Sequence, residues 1–321
     1  MTGSGTTEVG VARLGFLGTG WIGRHRMQAI AEGGRAVVAA VSDPSPEAAW
    51  QAADAARAVP GHPADVAVVD SLDALLELGL DGVVIATPSA LHAEQAVRAL
   101  ERGAAVFCQK PLARTAAESR RVVDAARAAG VRHVVKLSVL GADAPAHGFA
   151  RLHAESERYL RASGLGWTLL RPGNFMTNTL GWAETIRAQG AFSQPTGAGR
   201  WAAIDPADIG AVAVRALTEP GHEGQAYVMT GREAMDAAGY AAVLAEVLGR
   251  EVRFVDVQAE AARAAMLGGG MPAAYADAML ELLAAMRDGR LDAVADGVPR
   301  VLGRPAAPFA DWARRHAAAF R

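Results

Sequence analysis

Short apolar runs alternate with amphipathic stretches through the first part of the chain. The runs predict strands at 13–18, 36–42, 66–69, 82–86, 104–108 and 132–138. Between them, apolar residues at helical spacing predict helices over 21–32, 46–58, 71–78, 91–102 and 115–129. Such alternation predicts an α/β architecture, a doubly wound parallel sheet. Further on, an apolar strand runs from Trp167 to Leu170 and ends at Arg171-Pro172. Asp205-Pro206 with Asp208 opens a helix, Gly224 to Val228 leads into a last strand, and Ala/Met/Leu-rich helices fill 235–249 and 259–290 with a break at 267–272. This part reads as a smaller, mostly helical C-terminal substrate lobe.

The first strand runs directly into Gly18-Thr19-Gly20-Trp21-Ile22-Gly23, a G-x-G-x-x-G turn that opens the first helix. In a Rossmann fold the first glycine permits the sharp turn, the second lets backbone approach a pyrophosphate, and the third lets helix pack on strand. Free N–H groups and the helix dipole favour the phosphate charge. The second strand ends in Asp43, 20 residues after Gly23. An acid there can accept ribose hydroxyls and repel a 2′-phosphate, so NAD is favoured while NADP stays open. A helix-capping role for Asp43 before Pro44 is the plain alternative. Ligands of such sheets bind at the C-terminal strand ends, which draws attention to Thr87-Pro88, to Cys108-Gln109-Lys110-Pro111 and to Lys136–Gly141.

Net charge is −2 over 321 residues, so no basic surface points to nucleic acid or an anionic membrane. The single cysteine, Cys108, excludes an internal disulfide and a cysteine-rich metal site, and the histidines show no metal-ligand spacing. No uncharged apolar run approaches the roughly 18 residues of a membrane span. Residues 1–11 read as a flexible tail rather than a signal peptide, and a cytoplasmic protein is expected. The basic residues are almost all arginine; the two lysines are Lys110 and Lys136. Lysine, unlike arginine, can be desolvated and give up its proton, so both are candidates for chemistry.

Three motifs in order resemble the Gfo/Idh/MocA family of NAD(P)-dependent oxidoreductases over roughly residues 12–130. They are Gly18-x-Gly20-x-x-Gly23, then Asp81-Gly-Val-Val-Ile-Ala-Thr-Pro88 with Leu91-His92, then Val106-Phe-Cys-Gln-Lys110-Pro111. The resemblance implies that Thr87 and Pro88 lie against the cofactor, that His92 starts the next helix beside it, and that Lys110 is the active-site lysine. Gln109 stands where the family has Glu. The Asp/His motif of that family's second lobe is missing. Residues 131–321 instead resemble the NmrA-like, atypical short-chain dehydrogenase/reductase group, through His133-Val-Val-Lys-Leu-Ser-Val-Leu-Gly141, Arg151-Leu-His-Ala-Glu-Ser-Glu157, Trp167–Asn178, Ile204–Ala213 and Tyr227–Gly231. The chain therefore reads as a mosaic, with a dinucleotide-binding domain over 12–143 and an NmrA-like part over 144–321 that completes the sheet and forms the substrate lobe.

Against the short-chain pattern, Ser138 keeps the serine place, while Phe149 and His153 occupy the Tyr and Lys places. The usual proton donor is thus missing. Lys110, lowered in pKa by burial, is the expected proton donor, with Lys136 a weaker candidate and His153 a relay or ribose contact. Under that reading Lys110→Ala abolishes turnover and spares nucleotide binding. Asn174 and Asn178 offer amide contacts to substrate, and Phe175 and Trp182 wall the pocket. The whole predicts hydride transfer between NAD(P) and a small, fairly apolar ketone, imine, enone or quinone. A non-catalytic, NAD(P)-binding redox sensor with a protein partner is the alternative. A transient oxidation within an isomerase or lyase is a third reading. Helix 115–130 and the last helices offer surface for a homodimer.

Overall fold

A computed structural model describes residues 11–145 and 147–321; positions 1–10 of the expected tail lie outside the described residues. The chain divides into two units, Met1–Val131 and Arg132–Arg321.

The first unit follows the predicted alternation: β1 (Ala12–Leu17), α1 (Trp21–Gly33), β2 (Ala36–Ser42), α2 (Pro46–Arg57), β3 (Ala67–Val69), α3 (Leu72–Leu76), β4 (Gly82–Ile85), α4 (Ser89–Glu101), β5 (Ala105–Cys108) and α5 (Ala116–Ala128). Its five strands are parallel in the order β3-β2-β1-β4-β5. The chain order reverses at β1, and the crevice at that switch point is where such sheets take ligands. Helix α2 shows why the pattern was readable: Ala49, Ala52, Ala53 and Ala56 recur at helical spacing and are all buried. Ser45 caps it, accepting from Ala48 N at 3.2 Å, and Pro46 sits at its first position. Phe16, Met27, Val38, Val41 and Val84 join these alanines in one core.

The second unit contains β6 (His133–Leu137), α6 (Gly148–Ala162), β7 (Gly166–Pro172), a short 3-10 segment (Met176–Trp182), α7 (Ala183–Gln189), β8 (Ala191–Gln194), β9 (Arg200–Trp201) and α8 (Pro206–Thr218). It continues with β10 (Gln225–Met229), β11 (Met235–Asp236), α9 (Ala237–Leu248), β12 (Arg253–Asp256), α10 (Ala259–Gly268), α11 (Ala273–Arg287), α12 (Gly297–Leu302) and α13 (Phe309–Arg315). Strand β6, expected as the last strand of the first domain, belongs here and pairs with β7 in a three-stranded sheet, β10-β7-β6. Small pairings β12-β8 and β11-β9 were not foreseen. The larger core gathers Trp182, Phe192, Trp201, Tyr240, Phe309, Trp312 and Phe320, and Met286 lies in it with Met266 and Met279 packed against it. Those methionines are core.

Asp205 and Asp208 start α8 as predicted, Asp205 accepting from Ala207 N at 2.9 Å. Both also anchor a distant segment. Asp205 pairs with Arg315, and Asp208 accepts from Arg304 and from Ala307 N, each at 2.7 Å. Asp208 is buried while Arg304 is half exposed, so its removal strands one N–H rather than a buried charge. Asp208→Ala should therefore lower the unfolding free energy by about 1–3 kcal/mol in chemical denaturation. A loss below a few tenths would show that the 304–307 segment holds itself.

Candidate functional site

In the first unit the strand ends are tied to one another. Gly18 N donates to Ser42 O at 2.9 Å, Ala86 N to Leu17 O at 2.8 Å and Gln109 N to Ile85 O at 2.9 Å. The three glycines of the turn stand in different surroundings. Gly18 has φ +88°, and a Cβ there would come within 2.8 Å of the Ala86 carbonyl carbon. A Cβ on Gly23 would sit 2.0 Å from Gly18 O, so this glycine is what lets α1 rest on the turn. Gly20 is different: a Cβ would meet nothing within 4 Å. The protein does not itself forbid a side chain at Gly20, and the open space beside it suits a pyrophosphate approaching backbone. No side chain caps α1 and no acid lies in its first turn, so its leading N–H groups can turn to an anion. These residues fit a dinucleotide. Ile22 is half-buried, and Trp21 is exposed and stacked on His25 at 5.5 Å.

Asp43 is held rather than loose. Its Oδ2 accepts from Thr19 N at 2.7 Å and Thr19 Oγ1 at 2.9 Å, and its Oδ1 accepts from Ser45 N at 2.9 Å. Burial works against its charge, but the Thr19 and Ser45 hydrogen bonds and the nearby Arg24 hold the carboxyl below the usual carboxylate range. Three of about four lone-pair positions are used, which leaves room for a ribose hydroxyl. Thr19, buried, is engaged through Asp43.

Beside it, Thr87 Oγ1 donates to Gln95 Oε1 at 2.5 Å. His92 is buried in the first turn of α4, and its ring bridges two carbonyls, Pro111 O at 2.7 Å from Nδ1 and Thr87 O at 2.8 Å from Nε2. This imidazole bolts the Thr87-Pro88 turn to the Lys110-Pro111 turn. Gln109 is buried and accepts from Arg26 Nε at 2.9 Å. Lys110 corrects an expectation. The short strand β5 releases it into the loop as an exposed side chain, so the burial invoked to make it an acid is not there. Burial instead acts on Cys108, whose thiol is pushed up to about 12.

The second unit holds a denser cluster. On β6 the alternation sends Val135 toward α8, while Lys136 and Ser138 take the other face, against α6. His153, Glu157 and Arg161 stand at successive turns of α6, and Arg171 comes from the end of β7. Glu157 Oε1 accepts from Ser138 Oγ at 2.5 Å and Arg171 Nε at 3.0 Å, and Oε2 accepts from the other arm of Arg171 at 2.6 Å. Burial opposes the Glu157 charge, but these bonds outweigh it and keep the carboxyl below its ordinary value. Ser138 therefore serves a carboxylate, and its hydroxyl is not turned outward as a catalytic serine would be. Lys136 Nζ lies 3.1 Å from His153 Nδ1. Glu157 and Arg171 were quoted in the sequence but not singled out; opposite charges on an otherwise apolar strand end and helix face were the available signal.

Of the expected substrate contacts, Trp182 is in the wrong place. It is buried and stacked on Phe192 at 3.9 Å, in the larger core. Phe175 is packed against the core beneath the three-stranded sheet. The Asn178 amide donates to Asn174 Oδ1. Sequence reasoning missed an open groove of about 620 Å³ between α6 and α11, lined by Phe149, Leu152, Pro272 and Tyr275 among others. Phe149 and Tyr275 meet edge to face at 5.5 Å, and Arg151 binds Glu281 at 2.8 Å to tie the two helices. Among the described residues no cluster could hold a metal ion, and no helix is long and apolar enough to cross a membrane.

The parallel sheet and its glycine turn define a dinucleotide-binding Rossmann fold, and the relatives make the class an NAD(P)-dependent oxidoreductase. The model of the oxidoreductase family with an NAD-binding Rossmann fold, Gfo/Idh/MocA, matches residues 12–137. The NAD(P)H azoreductase of Xenophilus azovorans is 45% identical over 218 residues, covering 67% of this chain and 76% of that protein. A (4-alkanoyl-5-oxo-2,5-dihydrofuran-3-yl)methyl phosphate reductase of Streptomyces griseus is 44% identical over 208 residues, 64% of this chain and 73% of that protein. An NADPH-dependent quinone oxidoreductase of Escherichia coli, solved with NADPH, superposes with a TM-score of 0.65 at 25% identity, over 95% of this chain and 99% of that one. The chain belongs to the NmrA-like family of NAD(P)-dependent reductases and is a mosaic, its first part being of the Gfo/Idh/MocA type.

The two glycine positions separate ligand space from fold. Gly20→Val should leave the thermal transition within a few degrees and weaken NADH binding by roughly tenfold or more, a loss of about 1.4 kcal/mol. Gly23→Ala should lower the transition itself, because its clash is with backbone. Equal NADH affinity in Gly20→Val, read by fluorescence titration, would mean that the pyrophosphate does not pass there.

Proposed function

We propose that the chain reduces a small, flat, largely apolar acceptor of the azo or quinone class with NADH or NADPH. The aromatic groove of the second unit carries this reading: Phe149 and Tyr275 present faces and edges to a planar ring, with Leu152 and Pro272 beside them. The names of the Xenophilus and Escherichia coli relatives support the same class. Asn174 and Asn178 remain proposed polar contacts. The bound nicotinamide supplies the hydride. Residues 18–23, Asp43, Thr87 and Pro88 are proposed to hold the dinucleotide, with His92 and Gln109 fixing the turns around it. The exposure of Lys110 favours a role in orienting the cofactor over that of proton donor.

Asp43 keeps acceptor capacity for a ribose, which supports a preference for NADH, while Arg24 beside it softens the repulsion of a 2′-phosphate. Both cofactors are therefore expected to serve, NADH the better. Asp43→Asn should reduce the ratio of NADH to NADPH affinity by roughly tenfold. A ratio unmoved in the titration would leave Asp43 with only its loop contacts.

Lys110→Ala should raise the Kd for NADH by roughly tenfold and keep most of kcat at saturating nucleotide. The opposite result, intact binding with turnover abolished, would restore Lys110 as proton donor. The acceptor class itself is tested by a screen of an azobenzene dye, a benzoquinone and a sugar polyol. Oxidation of the polyol with neither aromatic acceptor reduced would overturn it.

A further inference from the structure

We propose that the first unit distinguishes the two redox forms of its dinucleotide by charge: the Arg26 cation, held on Gln109 at the end of β5, disfavours NAD+ and leaves NADH to bind. The inference rests on the reading that the glycine turn and Asp43 hold the dinucleotide, and it adds which form the site keeps.

All the residues concerned belong to the first unit. Arg26 stands on α1, in the turn after Gly23. Its Nε donates to Gln109 Oε1 at 2.9 Å, and its guanidinium lies over the Phe107 ring, 5.5 Å from the centroid. Both partners are neutral. Burial lowers the pKa of this half-buried group, yet an arginine keeps its charge at working pH. The other cations around the turn are matched or wet. Arg24 acts on the Asp43 carboxylate, Arg114 pairs with Glu118 at 2.5 Å, and Lys110 is exposed, so solvent screens it. Among the described residues no carboxylate pairs with Arg26. The stretches 18–27, 86–93 and 108–115, which supply the turns at the ends of β1, β4 and β5, contain no Asp or Glu at all. Cys108 adds no negative charge either, since burial pushes its thiol up to about 12.

The order of the sheet decides which half of the ligand meets this charge. Strand β2, which leads into Asp43, lies on one side of β1, and β4 and β5 lie on the other. A dinucleotide that offers a ribose to the acid after β2 and its pyrophosphate to the glycine turn carries its nicotinamide half toward β4 and β5. The adenosine, the pyrophosphate and both riboses are common to the two redox forms. The nicotinamide ring is neutral in NADH and carries one positive charge in NAD+. A cation on that side attracts the phosphates of both forms alike and repels one ring only. In a partly buried setting a single unmatched charge suffices for a preference of roughly tenfold. Its effect falls on nucleotide exchange. Repelling a cationic ring does not make a hydride easier to give; it lets NADH load in the presence of NAD+ and lets NAD+ leave.

Binding reads this without turnover. Fluorescence titration gives the Kd for NADH, and displacement of bound NADH gives those for NAD+ and for ADP-ribose, which has the phosphates and riboses but no nicotinamide. The wild type should bind NADH roughly tenfold or more tighter than NAD+. Gln109→Glu sets a carboxylate on Arg26 with little change of shape and should reduce that ratio by roughly tenfold. Arg26→Gln removes the cation and should move the ratio in the same direction. The thermal transition of each variant shows whether it folds, and either one alone decides the matter. A wild-type ratio near one, or a ratio unmoved in a folded variant, would overturn the proposal. So would an Arg26→Gln variant that loses NADH, NAD+ and ADP-ribose to the same extent, because Arg26 would then serve the phosphates. If the wild type binds none of the three, the glycine-turn reading itself fails and the proposal falls with it; binding with an unmoved ratio sinks the proposal alone.

Discussion

A buried carboxylate with both oxygens occupied is the constraint on which the second unit's chemistry depends. Glu157 joins β6 through Ser138 and β7 through Arg171, and it rises from α6. One interaction therefore fixes the helix over the sheet and decides which cation meets which partner. A buried ion pair of this kind adds little net stability over apolar packing, because desolvation offsets attraction. Its value here is selection. An arginine on the carboxylate leaves the lysine beside an imidazole, and the charge of the cluster then turns on Lys136, which burial pushes down to about 8.

The first unit rests on a different constraint, backbone approaching backbone. Gly18 and Gly23 are required because a Cβ would strike main-chain atoms of the same turn or of the β4 end. Gly20 stands in open space, and Asp43 is steadied by Thr19 and Ser45. The turn is thus held in shape by the chain's own backbone and side-chain contacts. A preformed site avoids part of the ordering cost that binding would otherwise incur.

Much of this was legible in the chain. Long helices with alanine on the buried face, such as α2, and apolar strands ending at turn residues announce themselves through local spacing. The two-to-four-residue strands β8, β9 and β12 do not, since so short a pairing has no period and exists only because distant segments meet. Trp182 was misread for the same reason. An aromatic residue after a strand end looks like a pocket wall until Phe192 is known to stack on it. The two lysines stood out by composition, but their surroundings were reversed. Lys110 emerges from a short strand into solvent, whereas Lys136 lies partway along a strand roofed by α6. Nothing local distinguishes those fates. The groove escaped because its walls, α6 and α11, are far apart in sequence and are joined by Arg151 and Glu281.

The anchoring of residues 304–320 bears on how the polypeptide matures during synthesis. Phe309, Trp312 and Phe320 belong to the larger core, and Arg315 and Arg304 hold the carboxylates that begin α8. That core stays open until residue 320 has been translated, whatever has already been made of β6 to α12. The first unit takes its last buried residues, Val122, Val123 and Ala126, from α5 and can consolidate while translation continues. The glycine turn is in this sense the early product of the ribosome and the Glu157 cluster the late one.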